Sequence, residues 1–295
     1  MYRYRVKRMG ECDDRSSYER INLEPYIEFL QFTRAIDPDQ RDQIKKATED
    51  KPIAIADLLA ALVYRLFITE TLERNAFVEK CLRCCEAMLE NEGFDIVDIN
   101  DVLQTANEAI HCLVLAPGCQ TDELLMSRVR ATEEVCYKLV SIGKPVQLFF
   151  SGKNPGLRAG VPPSILNESK TMQMWFWDLW ARRQQASDFR RLLNIRLLTE
   201  DASKTSVENI KRILEMSRSR LQEGGNIFIV SSTFHLIRLA KALENELRAD
   251  DSLRVSSIVL VGSEISASNV SMHKAYVKSM VFNLFRYFIS KSEFW

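Results

Sequence analysis

The fold is decided by the stretch Asn226-Ile-Phe-Ile-Val-Ser-Ser-Thr-Phe-His235. Its apolar run, residues 227–230, is typical of a β-strand that is buried on both faces of a sheet. The run ends at three consecutive hydroxyl residues, and a helical pattern begins at Thr233 and continues to Leu247. The stretch therefore predicts a strand that passes directly into a helix through a short polar turn.

The same succession of strand, polar turn and helix recurs along residues 109–265. Four further apolar runs predict strands, and a helical pattern follows each of them. Because each helical crossover returns the chain to the side where the previous strand began, successive strands are parallel. The sequence therefore predicts an α/β fold, a doubly wound parallel sheet of about five strands, with an N-terminal helical region. The other predicted strands are residues 111–116, 145–150, 195–198 and 255–261, and the other predicted helices are residues 121–142, 167–185, 205–221 and 268–288.

The sequence predicts four parts along the chain. Residues 1–20 are polar and uneven, which is typical of a loose arm. Residues 21–108 repeat apolar side chains at spacings of three and four, the pattern of amphipathic helices. Residues 109–265 form the predicted α/β domain, and residues 266–295 are predicted to form a C-terminal helix packed on that domain. No cluster of chemically reactive residues marks the helical N-terminal region, so we interpret it as a helical cap or packing platform.

Composition narrows the class of protein. Among 295 residues, 40 basic side chains balance 40 acidic ones, so no net charge favours nucleic acid or an anionic membrane. No segment approaches the roughly 18 uninterrupted apolar residues of a membrane span. The seven cysteines are an odd number without secretory context, which favours reduced thiols in a cytoplasmic protein. For Cys81, Cys84 and Cys85, which share a helical pattern without a partner at zinc spacing, we favour buried or half-buried thiols over a metal site.

Polar residues follow the predicted strands, at the carboxyl ends where ligands bind in sheets of this type. The turn after the quoted strand offers Ser231, Ser232 and Thr233, with His235 in the first helical turn and Arg238 one turn later. The amino end of a helix favours an anion, and its dipole disfavours imidazolium. We therefore expect a neutral His235 near pH 7 that could act as a general base. In the alternative interpretation, Ser232 or Thr233 only caps the helix, and His235 packs in the structure without a role in function.

The turn after residues 195–198 carries a second polar group. The segment Thr205-Ser-Val-Glu208 fits a capping box, in which the hydroxyl and the carboxylate each satisfy a backbone N–H group. That role leaves Glu200, Ser203 and Asn209 unexplained. Glu200 could orient the histidine, bind a ligand hydroxyl or merely hold the loop.

Four further candidates come from their placement at the same predicted edge. The turn Ser151-Gly-Lys153 could let the backbone approach a ligand closely, beside an ammonium group. Gly118 lies in the turn that ends the first predicted strand. Arg128 lies on the helix after that strand, and Glu168 opens the next helix. As isolated charged residues, both are expected at the surface by default.

Several of these segments resemble motifs of the YdcF-like and SanA-like proteins, a family that shares a domain of unknown function. Glu200-Asp-Ala-Ser-Lys-Thr-Ser-Val-Glu-Asn209 resembles the pattern E-x-x-S-x-x-T-x-E-N, and Val230-Ser-Ser-Thr-Phe-His-Leu-Ile-Arg238 resembles V-T-S-x-x-H-x-x-R. Phe150-Ser151-Gly152 matches part of an S-G-G turn. Glu168-Ser-Lys-Thr-Met172 resembles E-A-x-x-M, and Arg128 corresponds to the arginine of the family's first helix.

The sequence departs from the family pattern at the presumed ligand cradle. The first strand ends in Ala116-Pro-Gly118 instead of paired glycines, and Lys153 replaces the second glycine of S-G-G. The resemblance implies a Rossmann-like fold, a nucleotide-like ligand and S-adenosylmethionine as a candidate cofactor. It does not imply a defined reaction. Some relatives carry a membrane helix, and this chain looks more like the soluble YdcF-type members.

Three hypotheses from different classes follow. The first is a site for a small anionic or nucleotide-like ligand, with a hydrolase- or transferase-type reaction if the site is catalytic. The second is a non-catalytic ligand-sensing or interaction module; a scaffold whose polar turns are all caps is the third. The sequence defines no oligomeric state. The catalytic candidates are His235, Glu200 and Glu168, and the ligand-binding candidates are Gly118, Arg128, Ser151, Gly152, Lys153, Ser203, Thr205, Asn209, Ser231, Ser232, Thr233 and Arg238.

Overall fold

A computed structural model of the protein describes residues 74–91, 93–94, 96–97, 99, 101–106, 111–118, 122–153, 167–183, 194–203, 205–263, 277 and 280–281. Contacts divide the chain into two compact units, one with Met1–Met9 and Gly93–Glu264, the other with Gly10–Glu92 and Ile265–Trp295. The predicted arm and the predicted helices before residue 74 lie outside the described residues. So does the predicted C-terminal helix, except for three buried helical residues, Val277, Met280 and Val281.

The first of these units is built on a five-stranded sheet in which every neighbouring pair is parallel. Its strands are β1 (His111–Pro117), β2 (Val146–Ser151), β3 (Ile195–Glu200), β4 (Gly225–Ser231) and β5 (Val255–Gly262). The strand order across the sheet is β3-β2-β1-β4-β5. The chain thus moves outward from β1 to β3 and then crosses back to β4 on the other side of β1. This order confirms the predicted α/β fold and is that of a Rossmann-like doubly wound sheet.

Four helices connect the strands and pack in two pairs. They are α3 (Asp122–Ser141), α4 (Glu168–Arg183), α5 (Ser206–Glu223) and α6 (Thr233–Ala249), and they follow helices α1 (Arg74–Asn91) and α2 (Val102–Ala106) along the chain. Helix α3 packs against α4, and α5 packs against α6. With right-handed crossovers and the observed strand order, the two pairs lie on opposite faces of the sheet. The amino ends of all four helices then follow the carboxyl ends of strands β1–β4.

The core shows the alternation that a sheet covered on both faces requires. Val114, Phe150 and Val230 belong to one buried cluster with residues of α3 and α4, such as Val129 and Phe176. The residues between them along the strands face the other pair of helices, because successive side chains of a strand point to opposite faces. Those residues include Leu115, Phe149 and Ile229, which are also buried. Burial on both faces is why the strands appear in the sequence as continuous apolar runs.

Each predicted strand extends further toward its carboxyl end than its apolar run. Strand β3 was predicted to end at Leu198, yet it continues to Glu200, because Glu200 still pairs with Ser151 of β2. Strand β4 likewise continues to Ser231, which pairs with Gly262 of β5. Backbone hydrogen bonds hold these polar residues in the ladder, so hydrophobicity alone places the strand ends too early.

A segment before β1 also packs with the sheet, although the sequence placed it in the helical N-terminal region. Ile96 forms a parallel bridge with Leu260 of β5, and the Val97 N–H donates to the Leu260 carbonyl at 2.9 Å. Helix α2 follows, with Val102 and Ala106 in the core. These contacts cover the edge of β5, which would otherwise present unpaired backbone groups.

Helix α1 belongs to the other unit and agrees with the helical pattern predicted for residues 21–108. Val78, Cys81, Cys85 and Leu89 are buried, at the helical spacings of three and four. Gly93, with φ at 76°, follows the helix in the left-handed conformation that commonly ends helices. No helix in the described part of the chain is both long and apolar enough to cross a membrane. Nor does that part contain a group of three or more His, Cys, Asp or Glu side chains placed to hold a metal ion.

Candidate functional site at the carboxyl edge of the sheet

The strand register places polar residues from every strand along one edge of the sheet. Pro117, Ser151 and Glu200 pair in one row across β1, β2 and β3. Ser231 of β4 pairs with Gly262 of β5. Leu115 of β1 pairs with Ile229 of β4, and the same register two residues further along places Ser231 beside Pro117. The predicted convergence of these turns on a common rim is therefore what the structure shows. The strand order reverses between β1 and β4, so the centre of this rim is the topological switch point where sheets of this type bind ligands.

Arg128 is the most unusual side chain at this edge. It lies on α3 with 0% of its surface exposed, so the default expectation of a surface charge is wrong. One guanidinium nitrogen (Nη1) donates to the carbonyl oxygens of Pro117 and Gly118, both at 2.7 Å, and the other (Nη2) donates to Ser232 Oγ at 3.1 Å. The guanidinium therefore joins the ends of β1 and β4, the two strands that flank the switch point.

Within the described part of the chain, Arg128 forms no ion pair with a carboxylate. Its Nε atom is buried without a hydrogen-bond partner. A buried charge usually pairs with an opposite charge, because removing it from water costs several kcal/mol. A buried guanidinium that still has a donor to offer is therefore suited to an anionic group.

Glu168 is also buried, at 3% exposure, and this too corrects the expectation of a surface charge. Its carboxylate lies against the two glycines at the ends of β1 and β2. A Cβ atom on Gly118 or Gly152 would stand only 2.5 Å from Glu168 Oε2. The glycines thus make room for a carboxylate of the chain itself, and the approach of a ligand to the Ser151-Gly152 turn stays a prediction. Gly152 has φ at 135°, a conformation that also favours glycine.

Glu200 holds the loop between β3 and α5. Its Oε1 atom accepts hydrogen bonds from the N–H groups of Ala202 and Ser203, both at 3.0 Å, and lies 3.8 Å from Nε of the exposed Arg212. Of the three roles open to it from the sequence, holding the loop is the one that the contacts display. The second oxygen, Oε2, is buried and has no hydrogen-bond partner, so it can still accept a bond from a ligand.

Other buried polar atoms without hydrogen-bond partners lie close to Glu200 in the sheet or the sequence. They are the hydroxyls of Ser151 and Ser203 and the Oδ1 atom of Asn209. Ser151 is the register neighbour of Glu200, and Ser203 and Asn209 lie in the loop and first turn that follow β3. Leaving a buried polar atom unpaired costs about 1–3 kcal/mol, so several at one edge require an explanation. Together they offer both donors and acceptors to a bound molecule.

His235 is the centre of a hydrogen-bonded chain of hydroxyls. Its Nε2 atom lies 2.8 Å from Ser206 Oγ, and its Nδ1 atom lies 3.2 Å from Ser231 Oγ. The ring is therefore oriented by two serines, and not by Glu200, for which this was one of three possible roles. Burial lowers the pKa of His235 well below 6.5, and the nearby charges of Arg128 and Arg238 lower it further. This agrees with the prediction of a neutral imidazole near pH 7.

The capping interpretation holds for one of the two helix starts. Thr205 precedes α5, and its hydroxyl accepts the Glu208 N–H at 3.2 Å, so the predicted N-cap is confirmed. Ser232 occupies the corresponding position before α6, but its side chain forms no capping bond. Its hydroxyl accepts from Arg128 instead, so capping does not account for it.

The remaining predicted residues differ in how closely they approach this arrangement. Lys153 is exposed, and only its backbone is placed, with its N–H donating to the Ser203 carbonyl at 3.1 Å. Thr205 is exposed as well, whereas Thr233 is buried at the start of α6 and Arg238 is half-buried on the same helix. Their contribution to ligand binding stays a prediction.

Sequence reasoning missed Ser206. It attributed the start of α5 to the capping Thr205 and passed over the next hydroxyl, which contacts His235. The available signal was its position in the first turn of a helix that follows a strand of the sheet, where a side chain can reach the carboxyl edge.

Comparison with known proteins identifies no relative. No protein-family model, no curated protein and no solved structure matches this chain.

Proposed function

We propose that this protein binds a small anionic or nucleotide-like ligand at the carboxyl edge of its sheet, between the ends of β1 and β4. The observation that carries the proposal is Arg128, which is fully buried at the switch point, forms no ion pair with a described residue and keeps an unpaired Nε donor. An anionic group that accepts from the guanidinium would form charge-assisted hydrogen bonds, which are about twice as strong as neutral ones.

The adjoining amino end of α6 favours the same kind of ligand. The helix has 17 residues, and its first-turn N–H groups lie next to Ser232, the residue that contacts Arg128. The positive end of the helix dipole stabilises negative charge at such a position. His235, held neutral in the first turn of α6, adds no positive charge and can exchange a proton with the ligand.

A second part of the ligand would carry hydroxyl or amino groups. Glu200 Oε2 and Asn209 Oδ1 are buried acceptors without partners, whereas the hydroxyls of Ser151 and Ser203 can donate. An acidic side chain at a strand end is a common partner of ribose hydroxyls. This set of atoms fits a nucleotide, and it also fits the ribose and carboxylate of S-adenosylmethionine, the cofactor that the resemblance to the YdcF-like family implies.

Native mass spectrometry of the freshly purified full-length protein tests the proposal first, since a bound metabolite would add a defined mass. Isothermal titration calorimetry with AMP, ATP, S-adenosylmethionine and inorganic phosphate tests it directly. We expect binding to one of these four probes, with an affinity that falls as ionic strength rises.

Arg128→Lys keeps the charge, but its single nitrogen cannot reach acceptors at the ends of both β1 and β4 as the guanidinium fork does, and we expect it to weaken binding of the same probe by about 10- to 150-fold. Arg182→Lys is the matched control, because Arg182 is exposed on α4 and pairs with Asp178 one turn away. Circular dichroism would establish that both variants are folded. The proposal is refuted if no small molecule co-purifies and none of the four probes binds, or if Arg128→Lys binds its probe as tightly as the parent protein.

A further inference from the structure

The chain of hydroxyls around His235 contains a serine in the geometry of a nucleophile next to its base. Ser206 Oγ lies 2.8 Å from His235 Nε2, within the range at which a neutral imidazole can remove a hydroxyl proton. At the other side of the ring, Ser231 Oγ lies 3.2 Å from Nδ1. A Ser231 hydroxyl that accepts from Nδ1–H fixes the tautomer in which Nε2 carries the lone pair. In this arrangement Ser231 is a positioning residue.

Two observations select Ser206 over Ser231 as the reacting hydroxyl. Ser231 is completely buried in β4, at 0% exposure, whereas Ser206 retains 9% of its surface accessible. Ser206 is also the first residue of α5, a helix of 18 residues. Its own N–H and that of Val207 lie in the first helical turn, where the helix contains no carbonyl for them to bind. Such N–H groups can stabilise an oxyanion that forms on an attacked carbonyl.

The charges nearby determine which substrates suit this pair. Arg128 binds Ser232, the neighbour of the Ser231 that contacts His235, and the charges of Arg128 and Arg238 lower the pKa of His235. Their positive charge opposes formation of an imidazolium. With a neutral substrate bound, His235 would therefore accept the proton of Ser206 less readily. A substrate with its own anionic group would neutralise this field and make proton transfer to His235 easier.

We propose that Ser206 is the catalytic nucleophile of a hydrolase for carboxylic esters that carry an anionic group, with His235 as its general base. The inference rests on the proposed function, because the anionic group would occupy the site at Arg128. Ser206 Oγ would bond to the ester carbonyl carbon while its proton passes to His235 Nε2. The C–O bond to the alcohol then breaks, and the alcohol oxygen takes that proton. Water attacks the acyl-serine in the same way, which releases the carboxylic acid and restores Ser206.

Hydrolysis of a matched pair of esters tests this reaction in the full-length protein. The anionic member is 4-acetoxybenzoate and the neutral member is its methyl ester, so the two share the same acetyl ester bond. We expect the anionic ester to be hydrolysed faster. Ser206→Ala and His235→Gln should each lower kcat/KM for it by about 10²- to 10⁴-fold, the range that general-base catalysis contributes. Ser219→Ala is the control, because Ser219 is exposed on the same helix.

Labelling identifies the nucleophile independently of turnover. Phenylmethylsulfonyl fluoride should modify one serine, and peptide mass spectrometry should locate the added mass on Ser206. The label should disappear in Ser206→Ala and persist in Ser219→Ala. The proposal is overturned if the parent protein hydrolyses neither ester, or if hydrolysis and labelling are unchanged in Ser206→Ala.

The outcome also separates this inference from the ligand-binding site. If binding of a calorimetric probe depends on Arg128 but neither ester is hydrolysed, the ligand site is supported and the proposal of Ser206 as nucleophile is refuted. If Ser206 is labelled and the protein hydrolyses the esters while no probe binds, the nucleophile is supported and the ligand site is refuted.

Discussion

The replacement Ser203→Ala distinguishes a ligand site from a polar turn that only holds the chain. Ser203 is buried at 1% exposure, and its hydroxyl has no hydrogen-bond partner. The backbone of Ser203 holds the turn in place, because its N–H donates to Glu200 and its carbonyl accepts from the Lys153 N–H. Alanine keeps both of these backbone bonds and removes only the hydroxyl.

The expected effects on stability and on binding have opposite signs. A buried hydroxyl without a partner costs about 1–3 kcal/mol, so its removal should leave the free energy of unfolding unchanged or raise it by about 1 kcal/mol. Binding should weaken, because a hydrogen bond to the ligand contributes about 0.5–1.5 kcal/mol, or about 1.5–3 kcal/mol if the ligand atom is charged. Since 1.4 kcal/mol corresponds to a factor of ten, Kd should rise by about 2- to 150-fold.

Ser217→Ala supplies the matched control for this experiment. Ser217 is also buried at 1% exposure with an unpaired hydroxyl, but it lies on α5 about 16 Å from the first residue of that helix. Urea unfolding would compare the stabilities of both variants, and calorimetry would compare their affinities for the probe that the parent protein binds most tightly. If Ser203→Ala binds that probe as tightly as Ser217→Ala does, the unpaired hydroxyl at the edge has no role in binding and the reasoning is refuted.

Three further predictions concern stability. Gly118→Ala should lower the free energy of unfolding by about 1–3 kcal/mol in urea titrations, because its Cβ would stand 2.5 Å from Glu168 Oε2, whereas Gly262→Ala, with 3.5 Å to its nearest atom, should change little. Because the folded-state pKa of His235 lies below 6.5, the unfolded chain takes up the proton more readily. Stability should therefore fall as the pH drops from 6.5 toward that pKa, by at most about 1.4 kcal/mol per pH unit, and His235→Gln should show no such contribution. Burial raises the pKa of Glu133 from 4.5 to about 7, so the folded state keeps this proton at a pH where the unfolded chain has lost it. The free energy of unfolding should therefore fall as the pH rises from 4.5 to about 7. A comparison of its pH dependence in the parent protein and in Glu133→Gln measures this contribution.

The sheet could be predicted from the sequence because hydrophobicity directly reports burial on both faces. All five predicted strands are present, in the predicted parallel arrangement. The polar ends of β3 and β4 could not be placed in this way, since Glu200 and Ser231 are held in the ladder by their neighbours' backbones. Position 96 also escaped prediction, because a single bridge to Leu260 leaves no periodic pattern in the sequence.

The burial of Arg128 is predicted wrongly from its residue type and correctly from its position in the helical pattern. Arg128 was expected at the surface because arginine usually is. Its neighbours on α3 argue otherwise, because Leu124, Leu125 and Thr132 are all buried, and they lie three or four residues from Arg128 in the same stripe. A charge inside an apolar stripe is a specific signal, and here it marks the residue at the switch point.

Unpaired buried atoms alone do not identify a ligand site in this protein. Ser217 Oγ and Trp180 Nε1 are also buried without partners, yet neither belongs to the carboxyl edge of the sheet. What distinguishes the atoms at that edge is that donors and acceptors occur together beside a buried charge, where the strand order reverses. Each such atom costs about 1–3 kcal/mol, and a folded domain is stable by only about 5–15 kcal/mol. A molecule that satisfied Arg128, Ser203 and Glu200 together would remove a substantial part of that cost, so we expect bound ligand to stabilise the folded state more than contacts at the surface would.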